Sequence, residues 1–341
     1  MGTRMAAVRI QGRFRAHSQS GVIAQVTINL TKPRRLVAMR GTVAFPGYQA
    51  KAPARERRFE SLRKAYRFAK SYVYDVALYP YGVYRHHALL RSSERVSTHT
   101  YTCFYRAPAQ LRALSGAVLD FLGNPQRTGE RLEILLFACS SGAEVYTIAS
   151  WLTQQLPGLN FHIQASDLHE ELVEYARAGK YTHDEVWHSQ YIDQAFVDAT
   201  FERVDDGYVV RPEIRAKTSF RQANLLDGKE LQASFSAAPL VIAQNVLFHL
   251  SPAHATTAFE NLTSLMAPRA VLLLEGMDLG LRSKLTASRS LRPLTTDARQ
   301  IYEETRVHTP QDWWNYYWGV EPFTPFHPDR ERRYATIFVR P

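Results

Sequence analysis

Between Leu132 and Thr147 the sequence reads LEILLFACSSGAEVYT: a run of strand-forming apolar residues stops at small residues and an acid, and a helical pattern follows. Small residues at such a stop let backbone N–H groups approach a ligand closely, and the helix start adds the positive end of its dipole. A second strand-like run, Phe161 to Asp167 (FHIQASD), also closes on an acid. An acid about 20 residues beyond a Gly-rich turn is placed to hydrogen-bond ribose hydroxyls. The two stretches together predict a site for a ligand carrying adenosine.

Such a site needs strands and helices to hold it. Strands are predicted at Leu132 to Phe137, Phe161 to Ala165, Thr218 to Gln222, Leu240 to Ala243, Val271 to Leu274 and Tyr334 to Val339, with helices near 143 to 156, 170 to 178 and 254 to 266. Short strands, apolar on both faces and separated by helices, make an α/β fold: a Rossmann-like, doubly wound, mainly parallel sheet, here with an antiparallel last strand. Residues 196 to 217 break the alternation, because Asp205-Asp206-Gly207 is a hairpin turn between alternating residues; a small β insertion on the sheet's C-terminal rim is expected. An amphipathic helix is predicted from Ala109 to Leu122, with Leu111, Leu114, Val118 and Leu122 on one face, stopping at Gly123-Asn124-Pro125. Residues 59 to 98 turn helical and aromatic, with Phe68, Tyr72, Tyr74 and Tyr79 before a breaker, Pro80-Tyr81-Gly82. The expected organisation is an arm over 1–58, a mainly helical segment over 59–128 and the main domain over 129–341.

At 341 residues and 45% hydrophobic content the chain can bury a real core. It contains no run of 18 apolar residues, so no transmembrane segment is expected. The opening residues lack a signal peptide's apolar region, and Cys103 and Cys139 are too few for a disulfide framework; both point to the cytoplasm. The net charge of +10 sits in the arm, where residues 1–58 carry twelve Lys and Arg against one acid, Glu56. Two β-prone stretches there, Val22 to Leu30 and Leu36 to Phe45, surround Lys32-Pro33-Arg34-Arg35 and suit a hairpin. The arm reads either as a solvated, disordered extension or as a surface for nucleic acid, an anionic membrane surface or an acidic partner.

Five motifs carry a family resemblance: Thr100-Tyr101-Thr102-Cys103-Phe104-Tyr105-Arg106, Ala138 to Thr147 (ACSSGAEVYT), Ser166-Asp167, Asn224-Leu225-Leu226-Asp227, and Gln244-Asn245-Val246-Leu247-Phe248-His249. In order and spacing they resemble the CheR-type chemoreceptor methyltransferases, which use S-adenosylmethionine to methylate glutamate carboxylates, over about residues 98 to 276. The resemblance implies the class I methyltransferase fold. It also implies that Thr100, Thr102 and Arg106 close over the methionine end of the cofactor, that Gly142 and Glu144 form the first turn, and that Asp167 takes the ribose. Asn224 and Leu225 would bracket the adenine, and Gln244 and Asn245 would lie near the sulfonium. Plainer roles stay open: Asn224 and Asn245 could cap loops, and Glu144 could complement its helix dipole.

The departures bear on the acceptor. Ala138 replaces the family's first Gly, Ala143 its first acid, Gln244 its Arg and His249 its Tyr, and the last two fall where the family places its acceptor. A carboxylic acid is already ionised at pH 7, so transfer needs orientation and loss of water rather than a strong base. A cation or donor must hold the acceptor. Arg106 and His249 are the candidates, with a structural role the alternative for His249. Residues 313 to 326, WWNYYWGVEPFTPF, either complete a core or wall an apolar substrate. The leading expectation is methylation of a small-molecule or lipid carboxylic acid, such as a 3-hydroxy fatty acid, to a methyl ester quorum-sensing signal. The alternatives are a chemoreceptor protein-glutamate methyltransferase and a non-catalytic module binding cofactor or nucleic acid.

Overall fold

The computed structural model describes residue 66 and residues 77–92, 102–305 and 321–341, all within the unit Arg57–Pro341. The arm, Thr100 and the tryptophans at 313, 314 and 318 lie outside the described residues, so the expectations placed on them do too.

Helix α1 (Tyr79–Ser92) opens on Tyr79-Pro80-Tyr81-Gly82, the residues expected to break a helix. Proline in the first turn loses no intrahelical hydrogen bond, so here it starts the helix. Helix α2 begins as Pro108–Ala113, widens into a π turn over Leu114–Val118 and resumes over Leu119–Phe121. It ends at Gly123 and Asn124, both at positive φ. Then come β1 (Leu132–Phe137), α3 (Ala143–Gln155), β2 (Phe161–Asp167), α4 (Glu170–Ala178), β3 (Lys180–Tyr181), β4 (Phe201–Val204), β5 (Gly207–Val210) and β6 (Thr218–Gln222). The remainder is β7 (Ala238–Gln244), α5 (Pro252–Ser264), β8 (Met266–Glu275), α6 (Leu279–Ser288), β9 (Arg292–Pro293), α7 (Ala298–Thr305) and β10 (Ile337–Arg340).

Seven strands form one sheet in the order β6-β2-β1-β7-β8-β10-β9. The first five are parallel, and β10 runs antiparallel to both neighbours. This is the doubly wound, mostly parallel α/β sheet expected. Because successive strand residues point to opposite faces, the strands supply two cores at once. Ile134, Leu136, Ile242, Val271 and Leu273 pack with α2, α3 and α4, whereas Leu135, Phe137, Val241, Leu272 and Leu274 pack with α5 and α6.

The hairpin at Asp205-Asp206-Gly207 joins β4 to β5, and β3 adds to β5 as a third antiparallel strand. The insertion therefore starts near Lys180, and Gln194–Thr200 is a helix rather than the start of a strand. The last strand is Ile337–Arg340, shorter than expected, because Tyr334 caps a helical turn over Arg330–Arg333 in helical backbone and pairing with β8 begins at Ile337.

Candidate functional site

The turn after β1 is backbone held in a left-handed shape. Ala138, Ser140 and Gly142 have φ of 57°, 50° and 85°. Only Gly142 is fitted for this, since a Cβ there would lie 2.8 Å from the Ala176 Cβ. From the turn, the Ser140 N–H donates to Asp167 Oδ2 at 2.8 Å, and the His169 N–H donates to Asp167 Oδ1 at 3.0 Å. Asp167 thus ties the ends of β1 and β2 together, and each carboxylate oxygen retains a lone pair for a further donor.

Above this rim lies the segment of Phe104, Tyr105 and Arg106. The buried Phe104 ring stands edge-on to Tyr181 and Phe201, at 4.8 and 5.1 Å between centroids, which binds the segment to the β insertion. Tyr105, at φ 50°, donates its N–H to Thr147 Oγ1 at 3.0 Å and accepts from the Ser189 hydroxyl through its carbonyl. The next residue, Arg106, is left to line a narrow cleft with Thr102, Cys103, Gln110, Glu144, Thr147, Gln244 and Leu273.

Glu144 is half-buried, but its Oε1 is enclosed and has no hydrogen-bond partner. Burial raises its carboxyl to about 7; the Arg106 guanidinium opposes the rise and Glu275 adds to it. Glu275, the last residue of β8, is buried and likewise raised by burial, against the pull of Arg106 and Arg282. Glu275 lies one residue beyond Leu274, where the strand was expected to end. A carboxylate closing a strand of the same sheet was the signal available, as at Asp167.

The remaining expected residues divide. Gln244 reaches the cleft from β7, but its Nε2 donates to Gln110 Oε1 at 2.8 Å, an amide pair joining the sheet to α2. Asn245, at φ 55°, approaches the second strand end so closely that a Cβ on Gly276 would lie 2.5 Å from its Cα. Its Nδ2 is enclosed and has no partner. Asn224 Oδ1 accepts the Leu226 N–H at 2.9 Å, the loop-capping bond named as its plainer role, and the Leu225 carbonyl accepts from Asn261. His249 sits on a 3₁₀ turn, Leu247–His249, with its ring tilted on Phe248, and does not line the cleft that holds Arg106.

These residues fit S-adenosylmethionine. A close-approach turn meets an acid at the second strand end, and Glu144, which lines the cleft, keeps an enclosed, unpartnered oxygen. The Asn245 amide nitrogen, next along the chain from the cleft residue Gln244, is enclosed and unpartnered too, which suits a ligand bearing hydroxyl, ammonium and carboxylate groups.

Comparison with known proteins agrees. The family model for the SAM binding domain of CheR methyltransferase matches residues 100–284, more than half of the chain. Chemotaxis protein methyltransferase 2 of Vibrio cholerae is 29% identical over 177 residues, covering 51% of this chain and 60% of that protein. A probable biofilm formation methyltransferase, WspC, of Pseudomonas aeruginosa is 27% identical over 212 residues, covering 62% of this chain and 49% of that protein. The chain thus spans roughly half to three fifths of the length of these relatives. Among solved structures, magnesium protoporphyrin IX methyltransferase of Synechocystis PCC 6803 with bound SAM aligns at 15% identity and a TM-score of 0.32, covering 55% of this chain and 71% of that one. With the family match running from the segment of Arg106 through β8 into α6, the chain belongs to the CheR methyltransferase family, and its cofactor is S-adenosylmethionine.

Proposed function

We propose that the chain transfers a methyl group to the side-chain carboxylate of a glutamate in a protein, a chemoreceptor being the first candidate. The observation that carries this reading is the set of relatives, several of them named chemotaxis protein methyltransferases. This reading takes the place of the fatty-acid acceptor expected first from the sequence.

When bound, S-adenosylmethionine supplies a methyl group activated on a sulfonium. Asp167 is assigned to the ribose and the turn around Gly142 to close backbone approach. Arg106, Thr102, Glu144 and Thr100 are assigned to the amino-acid end, Asn224 and Leu225 to the adenine, and Asn245 with Gln244 to the neighbourhood of the sulfur. An acceptor carboxylate is ionised at neutral pH, so the chain's work is to orient it and exclude water. His249, on the 3₁₀ turn four residues beyond Asn245 and outside the cleft that holds Arg106, is the proposed donor to the acceptor.

A second reading, a small or lipid carboxylic acid as acceptor, is favoured by one feature: Gln244, where the family resemblance leads one to expect an Arg, is a neutral amide tied to Gln110 and so offers the acceptor no cation of its own. Incubation with tritiated methyl donor separates the readings. Base-labile label on receptor membranes supports the first, and label in an extractable ester of a 3-hydroxy fatty acid supports the second. Cofactor binding by calorimetry with no label in either would leave a binding module. Removing residues 1–58 tests the arm: salt-dependent RNA or anionic-vesicle binding should vanish with it while methyl transfer survives.

A further inference from the structure

Two carboxylates share the electrostatic field of Arg106, and one of them has no assigned role. Glu275 lies two residues beyond Leu273 on β8, hence on the same face of the sheet, and Leu273 lines the cleft together with Arg106 and Glu144. Burial and Glu275 both raise the proton affinity of Glu144, and Arg106 lowers that of both carboxylates. Each keeps one enclosed oxygen without a hydrogen-bond partner, Glu144 Oε1 and Glu275 Oε2. Native proteins rarely leave such atoms orphaned without a ligand, water or ion to serve them.

Among the described residues, the charged groups around the pair are four carboxylates and three guanidiniums. Glu144 comes from α3, Glu275 from β8, Asp278 from the cap of α6 and Glu321 from the segment before β10; the guanidiniums are Arg106, Arg282 and Arg333. Glu321 and Arg333 form their own pair at 2.5 Å. Arg282 directs two N–H groups to the carbonyls of Leu274 and Arg333. The Thr305 hydroxyl, at the end of α7, is the remaining polar group favouring ionised Glu275. Among the described residues, Arg106 is therefore the one guanidinium that acts on both Glu144 and Glu275, whose enclosed oxygens lack a partner.

We propose that Glu275 is a second cofactor-holding carboxylate, which together with Glu144 receives the ammonium at the amino-acid end of S-adenosylmethionine. The proposal rests on the cofactor assignment and is independent of the acceptor. A cation entering between the two carboxylates favours their ionised forms and displaces the proton that Glu144, raised to about 7, partly retains at neutral pH, so binding releases protons.

Calorimetry on the full chain at pH 7 tests this with two nucleosides: S-adenosylhomocysteine, which carries the ammonium, and 5′-methylthioadenosine, which lacks it. Glu275→Gln keeps the shape of the side chain and should weaken S-adenosylhomocysteine about 10- to 100-fold, the range for a charge-assisted hydrogen bond, while changing 5′-methylthioadenosine less than about twofold. The dependence of binding heat on buffer ionisation enthalpy should show proton release in the wild type that shrinks in the variant. Equal weakening of both nucleosides, or of neither, overturns the proposal. Should the variant fail to fold, the wild type decides alone: S-adenosylhomocysteine binding without proton release also overturns it. A wild-type chain that binds no S-adenosylhomocysteine at all overturns the cofactor assignment instead.

Discussion

Ala138 holds a left-handed conformation in the turn after β1 without the freedom of a glycine. An L-residue pays about 1–2 kcal/mol there, so Ala138→Gly should stabilise the protein by roughly 1 kcal/mol, read as a higher urea midpoint. Gly142 predicts the opposite. Its φ of 85° and the 2.8 Å approach to Ala176 mean that Gly142→Ala should cost at least about 2 kcal/mol and weaken cofactor binding, measured by denaturation and calorimetry. Glu144 predicts a dependence on pH. Its folded carboxyl is raised to about 7, above the unfolded value of 4.5, so the native state binds more protons across that window and stability falls as pH climbs through it. Glu144→Gln should therefore stabilise the free protein at pH 8 but hardly at pH 4.5, and an unchanged difference between the two midpoints would rule out this origin.

At the scale of elements, the segment of Arg106 is placed by aromatic packing rather than by the sheet. Phe104 lies between Tyr181 of β3 and Phe201 of β4, so Phe104→Ala should cost about 3–5 kcal/mol and weaken cofactor binding beyond what lost stability explains, a difference visible by titration well below the melting temperature. The central strands were readable because they are short apolar runs buried on both faces, as β1 and β7 show, whereas β6 at the sheet edge buries little beyond Phe220. The start of α1 was misread because Pro80 and Gly82 signal a break in most settings yet serve a first turn. Helices α6 and α7 escaped notice: α6 buries Leu279, Arg282, Leu285 and Thr286, two of them polar, and α7 buries just Ile301 and Tyr302. In the site, Asp167 and Glu144 were legible from their places at a strand end and a helix start. The Gln244–Gln110 pair was not, because partners 134 residues apart leave no local pattern.

On the scale of the molecule, an enclosed ion pair gathers distant parts of the chain. Glu321, with no exposed surface, accepts from Arg333 at 2.5 Å and from the Tyr79 hydroxyl of α1 at 2.9 Å, and its carbonyl accepts from Tyr302 of α7. Removing one partner of such a pair leaves the other charge buried, so Glu321→Gln should cost roughly 3–5 kcal/mol and Tyr79→Phe about 1 kcal/mol, compared by urea unfolding. The same region holds the strand that is out of chain order. β10 lies between β8 and β9 in the sheet, although both precede it in the sequence. During synthesis on the ribosome, the residues of β10 therefore emerge after every other strand of the sheet. Until they arrive, the apolar flank of β8 waits as an open strand edge that invites a chaperone or a second nascent chain.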